Sequence, residues 1–280
     1  MSTEQTVGVD LQLSEAELDA TREHITSFIR DRVAAAGVDG AVIGLSGGID
    51  STLTAHLAVE ALGSEAVRGL VMPSTVDVDE NMSDAERVAL ELEMPHDVVP
   101  IQPIVDAFLD AYPDGIGREE VESDPLRTAV GNVRVRTRAV LNYFVANNEH
   151  RLVLGTGNRT EALVGYFTKY GDGAVDCLPI GNLYKQQVRQ LARHVGVPVD
   201  LVEKTPTAGM WSGQTDEEEL GLDYDTLDAI LALTVDGRMP TNAAAQLLDG
   251  VSVETIERVH DLSHRSAHKR AVPPAPDPRR

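Results

Sequence analysis

The stretch AVIGLSGGIDSTLTAHLA, residues 41–58, decides the fold. Ala41-Val42-Ile43 opens a short apolar run of the kind that buried strands carry, Ser46-Gly47-Gly48 breaks it, and a helix is expected from near Ser51. Glycines lack a Cβ, so their backbone N–H groups can face an anion, and the amino terminus of the following helix adds a favourable dipole. Ser46 and Ser51 offer hydroxyl donors. The lysine of the G-x-x-x-x-G-K-[ST] loop is missing, and an acid, Asp50, stands where phosphate oxygens should arrive. A carboxylate makes sense there as a ligand to Mg²⁺, a hard cation that takes carboxylate and phosphate oxygens together and so supplies the counter-charge. The plainer reading is a strand–turn–helix in which Asp50 merely caps the helix.

Outward from this stretch, strand-like segments at 41–45, 67–72, 97–101 and 151–154 alternate with helices expected over 51–62, 84–93, 104–111 and 124–147. Ser14 and Glu17 form a capping-box pattern that opens an earlier helix, 13–36. Further helices are expected over 183–195, 222–233, 242–248 and 253–260. The alternation predicts one α/β domain over 1–272, doubly wound, with a mostly parallel sheet flanked by helices. Ligands gather at the carboxyl ends of strands in such sheets, and the Gly-rich stretches 44–48 and 155–157 both fall there. Gly209, Ser212 and Gly213 suggest a mobile lid at 204–216, in which Met210 and Trp211 read equally as a hydrophobic anchor. The Pro-rich tail, 273–280, is expected to be disordered.

Composition excludes several classes. The 280 residues carry 45 acidic and 24 basic side chains, a net charge of −21. Such a field repels nucleic acid and anionic lipid, so neither is an expected partner. Only Lys169, Lys185, Lys204 and Lys269 are lysines, and an acid-rich, Lys-poor surface suits concentrated salt, where screening removes self-repulsion. Cys177 is the single cysteine, which rules out an intramolecular disulfide and a cysteine-based zinc cluster. The polar start, MSTEQT, has no signal-peptide pattern and no apolar stretch approaches membrane-spanning length, so a cytoplasmic location is expected.

Ser-Gly-Gly-x-Asp-Ser between a strand and a helix resembles the PP-loop, or N-type ATP pyrophosphatase, superfamily, whose members split ATP between its α and β phosphates. LGTGNRTEALVGYFTKYGDGAVDCLPIGNLYKQQVRQLA at 154–192 resembles the ammonia-dependent NAD⁺ synthetases within it. So do GNVRVRTR at 131–138, KTPTAGMWSGQTDEEELG at 204–221 and HKR at 268–270. The likeness runs from about residue 20 to 272. It implies a ligase that adenylates the nicotinate carboxylate of deamido-NAD⁺ with ATP, releases pyrophosphate, and lets ammonia displace AMP to give NAD⁺.

Carried over by position, the resemblance assigns Gly44, Leu45, Ser46, Gly47, Gly48, Ile49, Asp50 and Ser51 to the ATP phosphates. Thr156, Lys185 and Thr207 join them on ATP, and Asp50, Lys185 and Thr207 act in catalysis. Asp50 and Glu161 become Mg²⁺ ligands; Arg136, Lys169, Asp172, Asp176, His268 and Lys269 line the deamido-NAD⁺ site. On the residues alone, Glu161 reads equally as an early-turn helix acid, and His268 and Lys269 as a solvated tail. The resemblance also implies a homodimer whose substrate site draws on both subunits. Val130, Val133, Val140, Leu141 and Phe144 in the long helix offer an apolar face for it, or face their own core. Free ammonia is the expected nitrogen source, because the chain leaves no room for a glutaminase domain.

Overall fold

Two-residue alternation in the central strand builds the layers. The computed structural model describes residues 9–74, 79–112, 126–207 and 215–276. Among them, β1 (Gly40–Leu45), β2 (Val67–Val71), β3 (His96–Val98) and β4 (Arg151–Leu154) form one sheet in the order β3-β2-β1-β4. Every pairing in it is parallel. Ala41, Ile43 and Leu45 point to one face, where they share a core with Leu154; Val42 points to the other, with Leu70 and Val153. Burial on both faces is why these strands read as continuous apolar runs.

The helices that cover the sheet are α1 (Glu15–Ala36), α2 (Ile49–Leu62), α3 (Asp79–Glu91), α4 (Gln102–Asp110), α5 (Leu126–Glu149), α6 (Arg159–Val164), α7 (Lys185–His194) and α8 (Val199–Val202). Ile25 and Ile29 of α1, Leu53 and Leu57 of α2, and Val188 and Leu191 of α7 fill the first core. Val105 of α4 and Val130 of α5 fill the opposite one. Each such side chain contributes roughly 1.5–3 kcal/mol by leaving water. A third core gathers Val164 of α6 with α9 (Asp216–Leu220), α10 (Tyr224–Leu231), α11 (Thr241–Leu247) and α12 (Val253–Arg265), through Leu227, Ile230, Ile256 and Val259.

The strand order places the site. The chain moves from β1 outward to β2 and β3, then returns to β4 on the other side of β1. The crevice between the carboxyl ends of β1 and β4 is therefore the topological switch point, where open α/β sheets bind ligands. Ser46-Gly47-Gly48 leaves one strand there and Gly155-Thr156-Gly157 leaves the other. Gly155 passes so close under residues 175–178 that a Cβ on it would lie 2.6 Å from Val175 and Leu178 carbons.

Several boundaries differ from the sequence expectation for identifiable reasons. α2 begins at Ile49, not Ser51, because Gly48 is its N-cap; Asp50 therefore lies in the first helical turn. β3 is a strand only over His96–Val98, not 97–101, although its pairing bonds run on: Val99 N–H donates to Val71 O and Ile101 N–H to Pro73 O, each at 2.8 Å. α4 starts two residues early because Pro103 is tolerated in a first turn. The capping box at Ser14 and Glu17 forms as expected, with the helix itself beginning at Glu15, not at residue 13. α5 starts at Leu126, and the expected start at Asp124 lies outside the described residues. α7 begins at Lys185, two residues later than expected, with Tyr184 as its cap. α12 runs on to Arg265, past the expected end at His260. Residues 208–214 of the expected lid and 277–280 of the tail also lie outside the described residues.

Candidate active site

The switch-point crevice opens into a cavity of about 510 Å³ lined by the 44–51 loop, Thr156, Glu161, Asp172, Lys185, Thr207 and Lys269. The loop is organised by its own hydroxyls. Gly47 takes a left-handed φ of +74°, a conformation that excludes most side chains. Gly48 N–H donates to Ser46 Oγ at 3.3 Å, and Ser51 Oγ donates to Gly48 O at 3.0 Å. Ser46 Oγ and Ser51 Oγ lie 3.1 Å apart. These bonds hold the turn open ahead of α2, whose amino terminus faces the cavity mouth with its dipole favouring an anion.

At the floor three elements meet. Asp50 comes from the first turn of α2, Glu161 from the first turn of α6, and Lys185 is the first residue of α7. Lys185 Nζ contacts Asp50 Oδ2 and lies 3.4 Å from Glu161 Oε1, with its side chain only 2% exposed. Asn158 Nδ2 donates to Asp50 Oδ1 at 2.9 Å, and Asn158 Oδ1 accepts Glu161 N–H at 3.0 Å, so this N-cap of α6 ties the two acids together. The ring of Tyr224 lies under the ammonium, 5.1 Å from its centroid, and Tyr224 donates its hydroxyl to Asp216 Oδ2 at 2.8 Å. Asp216 Oδ1 is buried with no hydrogen-bond partner among the described residues.

The charges explain the protonation states. Burial, then the neighbouring charge of Asp50, pushes the Glu161 carboxyl well above the usual carboxylate range. Burial opposes the Lys185 charge, but Asp50 and Glu161 outweigh it and hold the ammonium protonated. One cation thus faces more acid than it can neutralise. Burial likewise raises Asp216. Asp172 is exposed at the cavity rim, where its carboxylate accepts Thr168 N–H at 2.7 Å.

Of the remaining residues expected at the site, Arg136, Lys169, Asp176 and His268 fall outside the cavity wall. Arg136 donates from Nη2 to Lys169 O at 3.1 Å, and Lys169 Nζ lies 3.3 Å from His268 Nδ1, forming one basic cluster beside the cavity. Asp176 accepts Val153 N–H at 2.7 Å and Tyr143 O–H at 3.1 Å, which places its carboxylate on the edge of β4. Lys269 reaches the cavity but donates to Gly165 O and Phe167 O at 2.7 and 2.9 Å. Sequence reasoning does not single out Asn158, Asp216, Tyr224 or Asp228. For Asn158 a signal exists: Asn158 and Glu161 have capping-box spacing just after a strand.

Asp228 sits behind the cluster, fully buried, where burial raises its carboxyl to about 6 from an ordinary 3.8. Between those two values the native chain holds a proton that the unfolded chain releases, so stability rises as pH falls from about 7 toward 4. The ionised form at pH 7 costs about 3 kcal/mol. Urea unfolding at pH 7 and pH 5 should therefore show a slope in the wild type that Asp228→Asn reduces but does not abolish, because Glu161 is raised as well; equal slopes in the two proteins contradict the assignment.

Parallel strands that bring a Ser-Gly-Gly turn and a paired-acid cluster to one crevice define an α/β phosphate-loop protein of the PP-loop class. The family model for NAD synthase matches residues 21–273. An NH(3)-dependent NAD(+) synthetase of Halobacterium salinarum is 59% identical over 99% of this chain and 100% of its own length. One from Thermococcus kodakarensis is 45% identical over 92% of this chain and 97% of its own. Among solved structures, an NMN synthetase from Francisella tularensis superposes with a TM-score of 0.80 at 34% identity, covering 95% of this chain and 100% of its own. An NH3-dependent NAD synthetase from Campylobacter jejuni gives 0.75 at 28%, covering 93% and 99%. The chain belongs to the NAD synthase family.

Proposed function

We propose that the cavity carries out ATP-dependent amidation of deamido-NAD⁺ by ammonia, the last step in making NAD⁺. The observation that carries this reading is the meeting of Asp50, Glu161 and Lys185 beneath the 44–51 loop, inside a chain that matches the NAD synthase family nearly end to end. A nicotinate carboxylate oxygen attacks the α-phosphorus of ATP, the bond to the β-phosphate oxygen breaks, and pyrophosphate leaves. Ammonia then attacks the acyl carbon, the carbon–oxygen bond to AMP breaks, and the nitrogen loses a proton. No protein nucleophile is needed; positioning and charge neutralisation supply the catalysis.

The donor set fits Mg²⁺. Asp50 and Glu161 are hard oxygen ligands from the first turns of two helices, brought together at one buried point of the cavity floor. Asp50 and Glu161 would hold the ion, which supplies Lewis-acid neutralisation of the phosphates. The chain's own groups do the rest. Gly47 and Gly48 N–H and the Ser46 and Ser51 hydroxyls orient the phosphates. Lys185 keeps the acid pair from repelling the anion. Thr156 and Thr207 on the walls contact ATP, while Asp172, Lys269 and the Arg136–Lys169–His268 cluster with Asp176 receive the dinucleotide. Val140 and Phe144, four apart on α5 and each 68% exposed, form an apolar face on which a second copy docks in a homodimer, whereas Val130, Val133 and Leu141 of the same helix pack into their own core. The cytoplasm, which holds the ATP this reaction consumes, is the proposed location; among the described residues no helix is long and apolar enough to cross a membrane.

The test is to incubate the protein with ATP, Mg²⁺, ammonium and deamido-NAD⁺ and follow NAD⁺, AMP and pyrophosphate. All three should appear in equal amounts. A parallel arm offers nicotinate mononucleotide in place of the dinucleotide, because the NMN synthetase structure overlays so fully; faster turnover there would move the substrate to the mononucleotide. Glutamine alone should give little product. Nucleotide binding without pyrophosphate release would make the chain a sensor instead.

A further inference from the structure

Lys185 presents an electrostatic puzzle. A cation is unfavourable at the amino terminus of a helix, where the dipole is positive, yet Lys185 is the first residue of α7 and almost wholly buried. Something must hold it there. The backbone supplies the answer. Lys185 N–H donates to Thr160 Oγ1 at 3.0 Å, Thr160 Oγ1 donates to Asp228 Oδ1, and Gln186 N–H donates to Asp228 Oδ2 at 2.9 Å. One buried carboxylate from α10 thus receives the first turn of α7 directly and, through Thr160, the first turn of α6 beside Glu161. One turn earlier on α10, Tyr224 lays its ring against the Lys185 ammonium. The two residues, four apart, grip Lys185 from its backbone and from its tip.

We propose that Asp228 is a positioning residue for the reaction, fixing Lys185 against Asp50 and Glu161 by anchoring the first turns of α6 and α7 to α10. The inference rests on the ligase reading of the cavity for its kinetic consequence, but the geometry stands without it. Neither Asp228 nor Tyr224 is among the residues that line the cavity. Asp228 carries its negative charge to the positive end of α7 and offers both carboxyl oxygens to donors. An amide there leaves one donor unmatched, and a carbon chain at Thr160 breaks the link altogether.

The experiment compares Asp228→Asn, Asp228→Glu, Thr160→Val and the double variant Asp228→Asn/Thr160→Val, with Ile256→Val as a control that thins the third core elsewhere. Turnover is expressed per folded chain. Asp228→Asn and Thr160→Val should each lower kcat at least tenfold with less than a threefold change in the KM for ATP, and the double variant should be no slower than the slower single one. Asp228→Glu, which keeps the charge, should recover part of the loss, and Ile256→Val should leave kcat within twofold. Independently of activity, ¹³Cε-lysine labelling gives at most four signals, because the chain has four lysines. The signal that Lys185→Arg removes should move in Asp228→Asn while the other three stay. A kcat per folded chain within twofold of wild type, losses that multiply in the double variant, or an unmoved Lys185 signal would overturn the proposal. Failure of wild type to make NAD⁺ would instead strike the ligase reading and leave the lysine spectrum as the deciding test here.

Discussion

Asp50→Asn should lower kcat by about a thousandfold while leaving the ligand-free protein as stable as the wild type, or more so. The activity loss is of the order seen when one electrostatic contact to developing charge is removed. An amide keeps the size of the side chain and can still accept from Asn158, which now donates to Asp50 Oδ1 at 2.9 Å. It is a poor ligand for Mg²⁺ and carries no charge. The stability outcome follows from the charge count at the cavity floor. Asp50 and Glu161 both face Lys185 Nζ, and Asp50 is one of the groups that push the Glu161 carboxyl upward. Removing the Asp50 charge leaves one carboxylate for one ammonium, and Glu161 moves back toward its ordinary range. Activity and stability therefore separate, as they do where a site stores unfavourable charge for function. Steady-state turnover at saturating Mg²⁺ and a thermal midpoint without ligand read the two halves. Wild-type turnover in this variant sinks the assignment of Asp50 to the ion.

Part of this cluster is legible in the amino-acid sequence and part is not, and the difference is local against tertiary. The β1–loop–α2 unit declares itself because its constraints are short-range: an apolar run, a turn that needs glycine at φ +74°, and a helix start, all inside residues 41–58. The parallel sheet follows from the alternation of strands and helices, and all observed pairings are parallel. That Asp50 and Glu161 share one ammonium cannot come from spacing, since the long chain between them carries no periodicity that links them; family resemblance supplies the pairing. Asp228 is silent for a different reason. It lies in YDTLDAIL, where a polar residue on an amphipathic helix reads as the solvent face, yet that face packs on α6 and α7. Asp216 and Tyr224 are silent likewise, because the bond between them matters only once α7 has brought Lys185 against the ring. Boundaries that shift by two residues have single-residue causes, a Gly N-cap for α2 and an early Pro for α4.

Lys185→Met should be the most damaging single change, because it removes function and leaves a buried charge pair unpaired. Methionine fills much of the volume of the lysine stem, so the packing against Tyr224 is largely kept and the effect isolates the charge. Asp50 and Glu161 then face each other with no cation between them. Breaking a buried ion pair from one side costs about 3–5 kcal/mol. Protonation limits that cost. Without the ammonium, which now holds it down, the Glu161 carboxyl rises further, the native state binds more protons than the unfolded chain, and stability grows as pH falls. The loss should therefore be largest near pH 8 and shrink toward pH 6. Added Mg²⁺ should restore part of it at pH 8, since a divalent ion offers the two acids the counter-charge the lysine supplied. Turnover should stay about a thousandfold down even with Mg²⁺ present, because an ion engaged in balancing the two acids in place of the lysine is not free to neutralise the phosphates. Urea unfolding at the two pH values, with and without Mg²⁺, separates these effects without the screening a salt denaturant would add. A variant as stable as wild type at pH 8, with no response to Mg²⁺, would show that the two carboxylates do not depend on Lys185 for their charge balance.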